Sequence, residues 1–331
     1  MDASFDDALD RELLRDLSAR RDGPGLVRLG AQLLLLLAGG ALLVAAPPLI
    51  AGEGPALAAW SPLQGAAALL GLTLLSLANL SLFATLHEST HGTAFRQRAL
   101  NEAAAWFAAL AGQIMPPQLM REFHFAHHRH THELEQDPEL GGLAFMARWP
   151  RGLLWLGTVS GLPVLLARVA FVLASAVPFL PAALWDRALP FVRARQRRRV
   201  AWESRLWLAL HAGFVALAWS LEPRLLRVYL AFVVGHALLS VYITCEHRGL
   251  PHEGSILART RTLEVGALLR WLLWNMPYHA AHHAYPNVPF HALPRLQRAL
   301  VPRLVHAPVS VAALHWRAGE SAPTPLSATS A

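Results

Sequence analysis

Two long apolar runs, residues 26 to about 47 and about 63 to 86, constrain this chain more than any other feature. A hydrocarbon core about 30 Å thick is crossed by about 20 apolar residues in a helix, and each run supplies that length. Two further runs, 206–221 and 225–245, meet at Glu222-Pro223 and read as an outward and a returning helix. Backbone inside lipid must satisfy its own hydrogen bonds, so runs of this kind fold as helices. The expected fold is all-α: an integral membrane protein of about four transmembrane helices in two hairpins, with interfacial helices and a histidine-rich cap. Of the 331 residues, 54% are hydrophobic and 15% charged. The mean hydropathy is +0.34. That is too apolar for an ordinary soluble domain.

The distribution of charge orients these helices. The formal net charge is +7, and all 29 basic side chains are arginine. No basic module interleaved with aromatics is present, so nucleic acid is excluded as a partner, and the arginines are assigned to anionic headgroups. Arg11, Arg15, Arg20, Arg21 and Arg28 crowd the first hydrophilic segment, whereas 48–62 carries Glu53 and no arginine. The positive-inside rule then puts the N-terminus on the cytoplasmic side. The basic connector 193–205, with Arg195-Gln196-Arg197-Arg198-Arg199, belongs on the same side, against only Arg224 and Arg227 outside. Residues 1–22 lack the order of a signal peptide. They read as an interfacial helix with Phe5, Leu9, Leu13, Leu14 and Leu17 on one side. A single cysteine, Cys245, rules out an intrachain disulfide, a four-cysteine iron site and a CxxC redox pair.

The intervening segments are less regular. Residues 100–115 are apolar but short, stop at Pro116-Pro117, and are expected as a half-buried or interfacial helix. Residues 152–184 are apolar but interrupted by Pro163, Arg168, Pro178 and Pro181. A spanning pair, a re-entrant element and an interfacial hairpin all fit, and the hairpin is the expectation adopted. Residues 249–316 are too polar to span.

Three histidine clusters punctuate this pattern: His87-Glu88-Ser89-Thr90-His91, His124-Phe125-Ala126-His127-His128 and His279-Ala280-Ala281-His282-His283. Spacings of three and four residues bring imidazoles to one face of a helix. A lone histidine is usually structural. Eight so closely spaced are hard to explain as core filling, because each needs a partner when buried. Neutral imidazoles aimed at one place suit iron, zinc, copper or nickel. With the helices as drawn, all three clusters and His247 reach the same membrane face. His236 lies eleven residues earlier, about 16 Å deeper at the helical rise, too far for the same metal. It either lines a substrate channel or hydrogen-bonds within the bundle. His130 and His132 extend the second cluster as further ligands, orienting partners or solvated residues. The first cluster also fits HExxH, the motif of a zinc protease, and a histidine-rich metal transporter is another reading.

HxxxH, HxxHH and HxxHH in this order, separated by membrane helices, resemble the membrane fatty acid desaturase superfamily, which includes alkane hydroxylases and carotenoid ketolases. The likeness runs over about 86–296. The stretch from Trp274-Asn275-Met276-Pro277-Tyr278 through the third cluster looks like the bacterial acyl desaturase version, and Asp137-Pro138-Glu139-Leu140 is similar too. Cys245-Glu246-His247-Arg248-Gly249 resembles the Glu-His-x-Gly element that supplies an extra iron ligand in alkane hydroxylases. One departure is His130-Thr131-His132, where the family often has an aromatic residue and then a threonine–polar pair.

The resemblance implies a site for two ferrous ions ligated by His87, His91, His124, His127, His128, His247, His279, His282 and His283. Glu88, Asp137 and Asn275 would orient rings through the nitrogen not bound to metal. It also implies O2 as co-substrate, a lipid or fatty acyl substrate, and an external ferredoxin- or rubredoxin-like electron donor, with the active site on the cytoplasmic face of a bacterial inner membrane. Fatty acyl desaturase is the first expectation; hydroxylase, carotenoid ketolase and alkene-forming decarboxylase are the alternatives. The expected organisation is an amphipathic cytoplasmic segment at 1–25, a desaturase-like membrane domain at 26–317 and a disordered tail at 318–331.

Overall fold

The structure, a computed structural model, describes residues 9–46, 61–141, 146 and 149–320, with backbone alone for 316–320. Phe5, the 48–62 connection up to residue 60 and the tail beyond 320 lie outside those residues. Residues 318–320, expected in the tail, close the last helix.

The chain is helical almost throughout, as the apolar runs require. Among the described residues, four helices are long and apolar enough to cross a membrane. The first two are α2 (Asp22–Ala45), which follows the short α1 (Arg11–Leu17), and α3 (Pro62–His91). Ser61 caps α3 in a reciprocal box with Gln64, and Pro62 occupies its first turn. At the other end Gly92, at φ 69°, turns back so that its N–H meets the carbonyls of Glu88 and Ser89. At 30 residues α3 is about 45 Å long, about 15 Å more than a hydrocarbon core. That surplus lets its last turns, with His87 and His91, stand clear of the lipid.

The pair α2–α3 crosses at close range. A Cβ on Gly39 would come within 2.9 Å of the Gly71 carbonyl, and one on Gly71 within 2.9 Å of the Gly39 carbonyl. Small residues at such a crossing let two backbones touch, the contact that holds helices together in lipid. Deeper polar contacts add to it. Gln32 donates to Ser81 (2.8 Å) and accepts from Thr85 (2.7 Å), so both ends of its buried amide have a partner.

Next come α4 (Arg98–Ala108), a π-turn at Ala109–Gln113, α5 (Pro117–Arg129) and the single turn α6 (Pro138–Gly141). The 152–184 region resolves into α7 (Arg151–Ser160) and α8 (Leu162–Ala176), bent by 64° at Gly161, followed by α9 (Ala182–Ala188). Pro163 sits in the first turn of α8, where its missing N–H is harmless. Gly161 adopts φ +64° and presses on α11, and a Cβ there would lie 2.5 Å from the His236 carbonyl.

The second hairpin is α10 (Arg197–Leu221) and α11 (Val228–His247), joined by a 3-10 turn at Pro223–Arg227. Then follow α12 (Ile256–Arg259), α13 (Ala267–Leu272), α14 (His279–Ala284), α15 (Leu293–Leu300) and α16 (Val311–Glu320). A two-residue parallel pairing, β1 (Leu263–Glu264) with β2 (Val309–Ser310), ties this cap together. Helix α1 packs onto the cap: Leu9 and Leu17 are buried, and Asp16 pairs with Arg295 at 2.8 Å.

Candidate metal centre

Four separate elements bring the imidazoles together. The C-terminal ends of α3 and α11 supply His87, His91 and His247, α5 supplies His124, His127 and His128, and α14 supplies His279, His282 and His283. The nine rings fall into two groups. His87, His91, His124, His128 and His282 form one, and His127, His247, His279 and His283 the other, with the candidate ligand atoms of each within 4.8 Å of one another. Each HxxHH cluster is divided between the two: its i, i+4 pair serves one group and the remaining histidine the other.

Within the five-histidine group, Nε2 of His91 lies 2.8 Å from Nε2 of His124, which lies 3.0 Å from that of His128, itself 3.2 Å from that of His282. A neutral imidazole nitrogen carries one proton or one lone pair. The middle two nitrogens face two neighbours each, so hydrogen bonds cannot satisfy the whole series. Nε2 of His87 is buried with no partner at all. A cation at the centre of the group satisfies all five, so the residues present fit a metal.

In the four-histidine group the rings are oriented from behind. His127 Nδ1 lies 3.0 Å from both oxygens of Asp137. His247 Nδ1 donates to the Arg259 carbonyl at 2.9 Å. Thr131 spends its hydroxyl proton on the His127 carbonyl and therefore accepts from His283 Nδ1, at 3.2 Å. His279 Nδ1 lies 3.2 Å from Glu246 Oε1. For His247 and His283 the proton sits on Nδ1, which leaves the Nε2 lone pair facing inward; Nε2 of His127 lies 3.3 Å from that of His283, and Nε2 of His279 lies 2.9 Å from that of His247.

The protonation chemistry suits ligation. Burial, followed by the neighbouring imidazoles, holds His124, His128, His279, His282 and His283 well below their ordinary 6.5, so they are neutral. His127 differs. Burial disfavours its cation, but the carboxylates of Glu139 and Asp137 outweigh it and push the ring up to about 9. The same negative charge favours a metal cation at Nε2.

The remaining sequence candidates stand around these groups. Glu88 Oε1 lies 3.5 Å from His87 Nδ1, while Glu88 Oε2 accepts from Thr93 (2.7 Å) and from the Phe290 N–H (3.2 Å). The Asn275 amide donates to the Phe290 carbonyl at 3.0 Å, so it reaches the histidines only through that loop and Glu88. His130 is outside both groups, paired with Glu133 at 3.0 Å. His132 is also outside: its ring stacks on His247, 5.6 Å between centroids, and it donates to the Pro251 carbonyl. His236 donates to the Phe232 carbonyl one turn back (2.8 Å) and lies 3.4 Å from Arg168 on α8. Sequence reasoning passed over Thr131 as an orienting group and Glu246 as a carboxylate beside His279, although Glu246 directly precedes His247 in the Glu-His-x-Gly element.

A cavity of about 380 Å³ lies against both groups, with His87 and His124 of one and His127, His247 and His279 of the other on its wall. Most of the rest is apolar, including Phe83, Met115, Phe123, Met146, Leu154 and Phe171. Such a space accepts a hydrocarbon chain beside the imidazoles.

The Fatty acid desaturase family profile matches residues 58–314. The chain belongs to the fatty acid desaturase family. The sphingolipid delta(4)-desaturase of Candida albicans is 23% identical over 237 residues, covering 67% of this chain and 58% of that protein. The Delta(5) fatty acid desaturase fat-4 of Caenorhabditis elegans is 24% identical over 234 residues, 63% of this chain and 51% of that protein. The chain thus spans a little over half the length of these curated relatives. Membership accords with a multi-pass membrane setting and with the fold expected from its apolar runs.

Proposed function

We propose that this desaturase-family chain is a di-iron, O2-dependent fatty acyl desaturase with its active site on the cytoplasmic face of a bacterial inner membrane. The observation that carries the proposal is the gathering of nine imidazoles into groups of five and four beside an apolar cavity. Loaded with two irons, the centre supplies O2 chemistry strong enough to break an unactivated C–H bond, which no side chain can do.

The chain's own part is positioning. Asp137, Thr131 and the Arg259 carbonyl hold Nδ1 of His127, His283 and His247, and the Glu246 and Glu88 carboxylates stand beside His279 and His87. The apolar cavity holds an acyl chain against the centre and keeps water away from it. Near-attack geometry of this kind decides which carbon is oxidised. Exposed Arg195, Arg198 and Arg199 form a basic surface at the start of α10, suited to an acidic ferredoxin- or rubredoxin-like donor.

Two other readings fare worse. A zinc protease needs the HExxH glutamate free as a base, but Glu88 is fully buried and bonded to Thr93 and Phe290. A transporter needs ligands deep within the spans, whereas His87, His91 and His247 sit in the last turns of α3 and α11. The test is expression with a reductase system, followed by mass spectrometry of cell lipids and volatiles. Lipid lighter by two hydrogens supports desaturation. A gain of oxygen, or a terminal alkene one carbon shorter, replaces it with hydroxylation or decarboxylation.

A further inference from the structure

Arg168 is out of place in its surroundings. On α8 the residues Val164, Ala167, Arg168 and Phe171 share one face and line the cavity, and Arg168 puts a cation among them. Its guanidinium offers five N–H donors. Only Nη1 is used, at 3.2 and 3.4 Å to Gln113 and 3.4 Å to His236 Nε2, the long end of hydrogen bonding. No carboxylate of the described residues lies within 4.0 Å of it. Glu139, also on the wall, feels its charge without pairing with it. A cation left unpaired in an apolar cavity is costly unless something anionic comes to it.

We propose that Arg168 receives the carboxylate of a free fatty acid, and that the substrate of the adjacent centre is therefore the unesterified acid. The planar guanidinium matches a carboxylate in a two-pronged pair. The wall is otherwise largely apolar, which suits a single small anion on a hydrocarbon chain. The other arginine on the wall, Arg248, lies beyond the end of α11. The assignment rests on the lipid-oxidising reading of the neighbouring site.

The test is competition binding on the iron-loaded, full-length protein in nanodiscs at neutral pH, with hexadecanoic acid and its methyl ester displacing a fluorescent fatty acid. The wild type prefers the acid by about tenfold, the size of one charge-assisted interaction. Arg168→Gln abolishes the preference while ester binding stays within about twofold, Arg168→Lys keeps part of it, and Arg248→Gln retains it. Equal binding of acid and ester by the wild type overturns the proposal. So does a preference that survives Arg168→Gln or disappears with Arg248→Gln, or loss of both ligands together in Arg168→Gln, which marks a structural role. Metal content is measured on the same samples. A chain that binds no iron but still discriminates in favour of the acid defeats the di-iron reading and leaves the role of Arg168 standing.

Discussion

Nδ1 of His127 lies 3.0 Å from both carboxylate oxygens of Asp137, the firmest ring–carboxylate contact in the centre. The Asp137 carboxylate also accepts from the backbone N–H of His132 at 2.6 Å and of Glu139 at 2.9 Å, so it is anchored before it orients the ring. Asp137→Asn replaces a charged acceptor with a neutral one that presents an N–H as easily as an oxygen. Iron affinity is expected to fall by about 10- to 100-fold, the usual loss when such a partner is removed. Retention of iron during dialysis against a graded chelator series measures it, and an unchanged retention curve would count against this role.

The division of each HxxHH cluster gives a sharper prediction. His282 and His283 are neighbours in sequence but serve different groups. His282→Ala leaves four imidazoles in its group, and His283→Ala leaves three in the other. Each variant is expected to lose iron mainly from its own group, leaving residual iron with different Mössbauer parameters in the two proteins. Identical residual spectra would contradict the partition.

Glu122 connects the helix of the second cluster to the basic connector. Its buried carboxylate accepts from Arg193 Nη2 (2.6 Å), Arg193 Nε (2.8 Å) and Gln118 (3.0 Å). Burial raises its pKa, but Arg193 more than compensates and holds it below 4.5. A carboxylate depressed in the folded state adds stability above its unfolded pKa and loses it as pH falls through the folded value. Glu122→Gln is therefore expected to destabilise by about 2 kcal/mol at neutral pH. The gap in melting temperature from the wild type should close on acidification. A gap independent of pH would show that the charge is not what stabilises.

Gly161 is the tightest joint between the bent pair and α11. A methyl group there meets the His236 carbonyl at 2.5 Å and the Ala237 backbone at 2.7 Å, and the residue holds φ +64°. Gly161→Ala is expected to destabilise by about 2 kcal/mol or more, from overpacking and left-handed strain together. A melting temperature within a degree or so of the wild type would contradict that packing.

The apolar periods carried much of this molecule in plain view. All four long helices follow the runs at 26–47, 63–86, 206–221 and 225–245, and they extend further at the capped ends because Ser61, Gly92 and the arginines of 197–199 lie outside any hydropathy signal. The histidine clusters were equally plain. Which ring joins which group was not, because i+3 and i+4 spacings put residues on one face without saying how two other helices meet it. Thr131 and the Arg259 carbonyl were invisible for the same reason: they act through tertiary contacts, not spacing. In the bent pair the prolines read as breaks in the sequence; Pro163 in fact opens a helix, and Gly161 makes the turn.

The central claim concerns metal, and elemental analysis of the purified, detergent-solubilised chain tests it directly. Two irons per chain, lost together with turnover on chelation and restored together by ferrous ion alone, is the predicted result. One zinc per chain, or apoprotein revived by zinc and not by iron, would contradict it.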